Sequence, residues 1–145
     1  MKTQLSLCLL LLAVLCSCKK DTKEEPVPDR RTLLTARAWR LNEVLISNVP
    51  ITDPAQLALL GPLNGATIRF NGDGTLTTTQ ASGTVTSGTW QFGSTQDQLL
   101  VTLGGQNYQF TIKQLDATQL VLTTTYAITV PITATVPAEL RCVPA

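Results

Sequence analysis

ATIRFNGDGTLTTT, residues 66–79, decides the fold class. Two short segments rich in threonine and large apolar residues flank Asn71-Gly72-Asp73-Gly74. β-branched residues suit a pleated, half-buried surface, and the glycines admit the positive φ that a tight reversal between antiparallel strands needs. The stretch reads as a β-hairpin. Asn71 and Asp73 would also suit the start of a calcium loop. Counted from Asn71, however, that loop needs glycine sixth and glutamate twelfth, where this chain has Leu76 and Ser82. It is a turn.

Working outward, the same grammar repeats toward the C-terminus. Residues 83–92 form a strand ending in Gly88-Thr89-Trp90-Gln91-Phe92, residues 93–97 turn, and residues 98–103 return. Gly104-Gly105 is the tightest hairpin signal in the chain. From 107 to 115 the alternation is clean, with Tyr108, Phe110 and Ile112 on one face and Gln109, Thr111 and Lys113 on the other. After a turn at Asp116-Ala117-Thr118, even positions carry Leu120, Leu122, Tyr126, Ile128, Val130, Ile132 and Val136. Pro131 cannot donate to a ladder, so this run is two strands broken between Tyr126 and Pro131, or an edge.

Toward the N-terminus, residues 38–46 read as the first strand, with Trp39, Leu41 and Leu45 inward, preceded by a short turn or helix at 32–35. Asp53 is a good N-cap, Pro54 suits a first helical position, Gln56 completes a capping box, and Gly61-Pro62 stops the helix. That predicts one short helix, residues 54–60, after the first strand. Eight strands at short, regular spacing make an all-β antiparallel meander.

The first residues carry a different message. Met1-Lys2-Thr3-Gln4 and the apolar run from Leu5 to Leu15 have the form of a secretory signal, and the run is too short to span a membrane. Leu15-Cys16-Ser17-Cys18 resembles a bacterial lipobox: cleavage between Ser17 and Cys18 would leave the lipid on Cys18. The chain then divides into a lipoprotein signal peptide (1–17), a flexible lipidated tether (18–32) and one β domain (33–145). The early tether, KKDTKEEPVPD, is charged, lacks aromatics and ends in prolines. Asp21, Glu24 and Glu25 resemble a signal for the outer face of the outer membrane, diluted by Lys19, Lys20 and Lys23; a plain solvated spacer reads equally well.

Composition removes several functions. The 145-residue chain has no histidine, which excludes Ser-His-Asp and Cys-His catalysis and the usual imidazole zinc sites. Removing residues 1–17 takes one of eleven basic residues and none of ten acidic ones. The remainder is balanced and has no basic stripe, so nucleic acid is not expected. Glu43, Asp53, Asp73, Asp97 and Asp116 fall mostly at turns or caps, where Asp serves local hydrogen bonds. No catalytic residue, metal ligand or cofactor motif stands out. Of four cysteines, Cys8 and Cys16 leave with the signal and Cys18 is acylated. Cys142 is left as a free or tucked-in thiol, or for an intermolecular disulfide.

Four motifs occur in order: Leu34-Thr35-Ala36-Arg37-Ala38-Trp39-Arg40-Leu41, Phe70-Asn71-Gly72-Asp73-Gly74-Thr75, Gly88-Thr89-Trp90 and Leu120-Val121-Leu122. Together, across about residues 33–136, they resemble the lipocalin-like domains of Gram-negative lipoproteins. The resemblance implies a small antiparallel up-and-down barrel with Trp39 plugging one end and no shared catalytic residues. The threonine-rich strands depart from it by offering few large inward residues.

The resulting expectation is a monomeric, non-enzymatic lipoprotein held at the outer membrane by the lipid on Cys18. A small apolar or amphipathic ligand would enter near Leu57 and Leu60 and sit among Trp39, Phe70, Trp90, Tyr108 and Tyr126. The alternative is a structural or adhesion module whose outer face meets a partner protein or glycan.

Overall fold

The computed structural model describes residues 29–145 except 59 and 131, and gives the backbone but not the side chains of residues 126–130 and 132–134. The signal, Cys18, most of the tether and the side chain of Tyr126 therefore lie outside the described residues.

Among the described residues, nine strands follow one another in chain order. They are β1 (Ala38–Ile46), β2 (Val49–Pro50), β3 (Thr67–Phe70), β4 (Thr75–Thr79), β5 (Val85–Phe92), β6 (Gln98–Leu103), β7 (Gln106–Leu115), β8 (Leu120–Val130) and β9 (Ile132–Pro144). β2 is a two-residue strap on β1, reached through a reversal at Ser47 and Asn48, both at positive φ. From β3 onward each strand pairs antiparallel with the next, and β9 returns to β1, from Trp39↔Pro144 to Ile46↔Ala138. The result is a closed, eight-stranded antiparallel β-barrel consistent with a lipocalin-like fold. Closure removes the free edges that an open sheet would expose.

The hairpins form where the turn chemistry placed them. Gly104 and Gly105 take φ of 58° and 78°, and Gly74 takes 86°. In the Asn71–Gly74 turn, Asp73 Oδ1 accepts from the Thr75 amide at 2.9 Å and the Thr75 hydroxyl at 2.7 Å. The turn is thus locked by the local Asp bonding expected of it. Gly88 has a different task. A Cβ there would overlap the Thr102 carbonyl, so β5 and β6 close on each other only because position 88 is bare.

Alternation then fills the barrel. Trp39, Phe70, Leu76, Leu99, Leu103, Leu120 and Cys142 are almost wholly buried and belong to one apolar core. Trp90, Phe110, Ile112, Leu122 and Leu140 complete it. Residues 39 and 41 point inward as expected; Leu45 is buried but lies outside the core, level with outward Glu139, and Val44 takes the inward place. A bulge between Leu41 and Glu43 shifts the register and inverts the alternation, so that Val44, level with Leu140, faces the core.

Three boundaries are set by the structure. The helix after β1 is α2 (Pro54–Ala58), followed by a 3-10 turn, Gly61–Leu63. Gly61 at φ 56° ends the first coil, and Pro62 begins the second. A helix α1 (Arg30–Thr35) starts inside the segment assigned to the tether. The last strand runs on to Pro144, well past Val136. Its residues Ala138, Leu140 and Cys142 are buried while Glu139 and Arg141 face outward, a period of two that the flanking prolines masked.

Candidate functional site

The two mouths of the barrel are closed differently. At one, α1 lies across the rim. Leu34 is fully buried, and the Trp39 indole N–H donates to its carbonyl at 3.0 Å. Three arginines from this segment each hold one turn of that mouth. Arg30 pairs with Asp97 at 2.7 Å, Arg31 donates to the Gly72 carbonyl at 3.0 Å, and Arg37 donates to the Ala117 carbonyl at 2.6 Å. Arg31 also stacks over Trp90, its guanidinium carbon 4.8 Å from the ring centre. Trp90 in turn meets Phe70 and Phe92 edge-on at 5.6 and 5.5 Å.

The opposite mouth is covered by α2 and the 3-10 turn. Asp53 caps α2 by accepting from the Ala55 amide at 2.9 Å. Leu63 is buried, and Leu57 and Leu60 lie half-buried against the core. Gln80 donates to the Gly61 carbonyl at 3.1 Å, and the Pro62 ring lies beside Gly104, so the cover spans from β4 to the β6–β7 turn.

The residues expected to form one axial pocket are therefore divided. Trp39, Phe70 and Trp90 sit under α1. Leu57 and Leu60 belong to the other mouth, and Tyr108 lies level with Trp90 across β6, through Val101. Phe70 and Trp90 touch. Tyr108 is half-buried, stacking on Phe110 at 6.1 Å, and does not share the deep burial of the tryptophans. Beside Leu57, a half-open hollow of about 120 Å³ runs from Leu41, Val44 and Ile51 out to Glu43 and Asn64. That is well under the ~300 Å³ at which small-molecule pockets usually begin.

A larger recess, about 490 Å³, lies on the wall of β5, β6 and β7. Its lining is a block of three register rows. Trp90, Val101 and Tyr108 form the middle row. Trp90 and Val101 turn their side chains into the core, so the middle of the block contributes mainly backbone. The flanking rows, Thr89–Thr102–Asn107 and Gln91–Leu100–Gln109, alternate to the outside and form the rim. The Thr102 hydroxyl donates to Asn107 Oδ1 at 2.8 Å and fixes that amide across the strands. Sequence reasoning missed these positions because it followed the inward residues. The available signal was charge: between Gly74 and Ile112 only Asp97 is ionisable as an acid or base among Asp, Glu, Lys and Arg.

The carboxylates elsewhere are committed to structure. Asp116 accepts from Gln114, the Thr118 amide and hydroxyl, and the Gln119 amide. These bonds, the Gln114 side chain's first, hold it well below the usual carboxylate range. The Thr75 hydroxyl lowers Asp73 in the same way. Both shifts run opposite to those a general acid needs near neutrality. Across the β1–β9 seam, Glu139 accepts from Lys113 at 2.6 Å and Arg141 at 2.7 Å, and Arg141 reaches Glu43 at 2.8 Å. Among the described residues no group of three or more His, Cys, Asp and Glu side chains is placed to hold a metal ion.

No protein-family model matches the chain, and no curated protein matches it.

Proposed function

We propose that this chain is a non-catalytic binding lipoprotein, anchored to a Gram-negative outer membrane through Cys18, whose barrel presents a small amphipathic ligand in the recess on its β5–β6–β7 wall. The observation that carries the binding reading is that recess, about 490 Å³ on a rigid closed barrel whose described interior is packed with side chains. A site on regular strands is held more firmly than one on loops. We prefer the wall to the axial location among Trp39, Phe70, Trp90, Tyr108 and Tyr126, because Trp39, Phe70 and Trp90 are packed in the core.

The anchor rests on the sequence alone: the apolar run to Leu15, then Cys16-Ser17-Cys18. Two or more acyl chains would retain the protein where one would not. A Cys18→Ser variant is expected to accumulate uncleaved or to leave the membrane fraction. Wild-type partitioning of that variant would refute the anchor. The outward position of the recess also suits the adhesion reading, in which the same wall meets a glycan or protein on another surface.

A further inference from the structure

We propose that the wall recess is a binding site for an uncharged oligosaccharide; this rests on the reading of that recess as the ligand site. Its rim offers three amides, Gln91, Asn107 and Gln109, and two hydroxyls, Thr89 and Thr102. Amides and hydroxyls both donate and accept, which is what a sugar hydroxyl requires of its partner. The one aliphatic member, Leu100, stands between Gln91 and Gln109 in the register and is half-buried. It presents an apolar strip for the C–H face of a pyranose ring. The two polar rows lie about 7 Å apart along the strands and span about 10 Å across the three strands, so the contacts are spread over a shallow platform and not gathered at a point.

The competing ligand classes fit less well. An anion needs arginine or lysine, and the stretch from Gly74 to Ile112 holds neither. Its only charge, Asp97, is at the α1 mouth in an ion pair with Arg30. An extended peptide binds a sheet by adding to a free edge, but β5, β6 and β7 each have neighbours on both sides. A wholly apolar molecule would meet Leu100 alone and strand the amides of the rim without partners. An uncharged polyol satisfies the amides, accepts the absence of charge and needs no edge.

The test uses the full chain in mild detergent, titrated by calorimetry and saturation-transfer NMR with cellotetraose, maltotetraose and chitotetraose up to about 10 mM, the range of weak open sites. A medium-chain alcohol serves as a non-sugar amphipath. At least one tetrasaccharide is expected to bind saturably, and the double variant Gln91→Ala, Gln109→Ala to weaken it tenfold or more at an unchanged melting temperature. Binding of the alcohol alone, weakened by the same double variant, would overturn the sugar assignment while leaving the recess as the ligand site. Failure of all probes to bind the folded chain, or sugar binding indifferent to both glutamines, would overturn both.

Discussion

Two outer faces of this barrel are built on opposite plans. Along the β1–β9 seam, Lys113, Glu139, Arg141 and Glu43 form a chain of ion pairs. Across the recess on the β5–β7 wall the outward positions are threonine, glutamine, asparagine and leucine, with no charge. The difference follows from how each face acquires its register. The wall is made of consecutive hairpins, and its register is set by turns such as Gly104-Gly105. The seam joins strands whose ion-paired residues, Glu43 and Arg141, lie 98 positions apart, and no turn dictates their alignment. Charge supplies that instruction, because a one-residue slip of β9 against β1 would part Arg141 from Glu43. The wall, relieved of this duty, is free to carry neutral polar residues.

The comparison can be broken most severely from inside the wall. Trp90→Ala removes the ring that meets Phe70, Phe92 and Arg31 and should cost ~3–5 kcal/mol in denaturant unfolding. A loss below about 1 kcal/mol would mean that the inward row does not hold the wall. At the seam a smaller effect is expected. Glu139→Gln removes the carboxylate shared by two cations and should cost about 0.5–1.5 kcal/mol at neutral pH, shrinking in high salt.

That second loss has a defined pH dependence. The Lys113 and Arg141 bonds hold the Glu139 pKa below its ordinary 4.5. A carboxylate depressed in the folded state stabilises above its unfolded pKa, and the contribution fades as pH falls through the folded value. The gap between wild type and Glu139→Gln should therefore be flat near neutrality and close only below about pH 4.5. A gap that persists at pH 2 would show that the glutamate acts by packing. The smallest effect is Lys113→Ala, within about 0.5 kcal/mol, since that lysine is 61% exposed.

The β class, the hairpins at Asn71–Gly74 and Gly104-Gly105, and the Asp53 cap were legible because each depends on local chemistry. The bulge in β1 was not: nothing in ALA-TRP-ARG-LEU order says that Asn42 will be the extra residue between Leu41 and Glu43. Nor was the arginine clasp, since Arg30, Arg31 and Arg37 acquire their meaning only when three distant turns are brought to one mouth. The reach of β9 went unread, although Ala138, Leu140 and Cys142 alternate there with Glu139 and Arg141. The axial site could not be decided from sequence for a related reason. Large inward residues signal filling as readily as they signal a pocket, and only packing distinguishes the two.

Cys142 sits where the barrel closes, opposite Leu41 of β1 and Leu120 of β8, with no exposed surface. Burial pushes its thiol up to about 12, so at neutral pH it is neither ionised nor reachable. Among the described residues it is the single sulfhydryl. The molecule thus carries its own stopwatch: a thiol reagent can mark it only in the moments when the last strand lets go of the first.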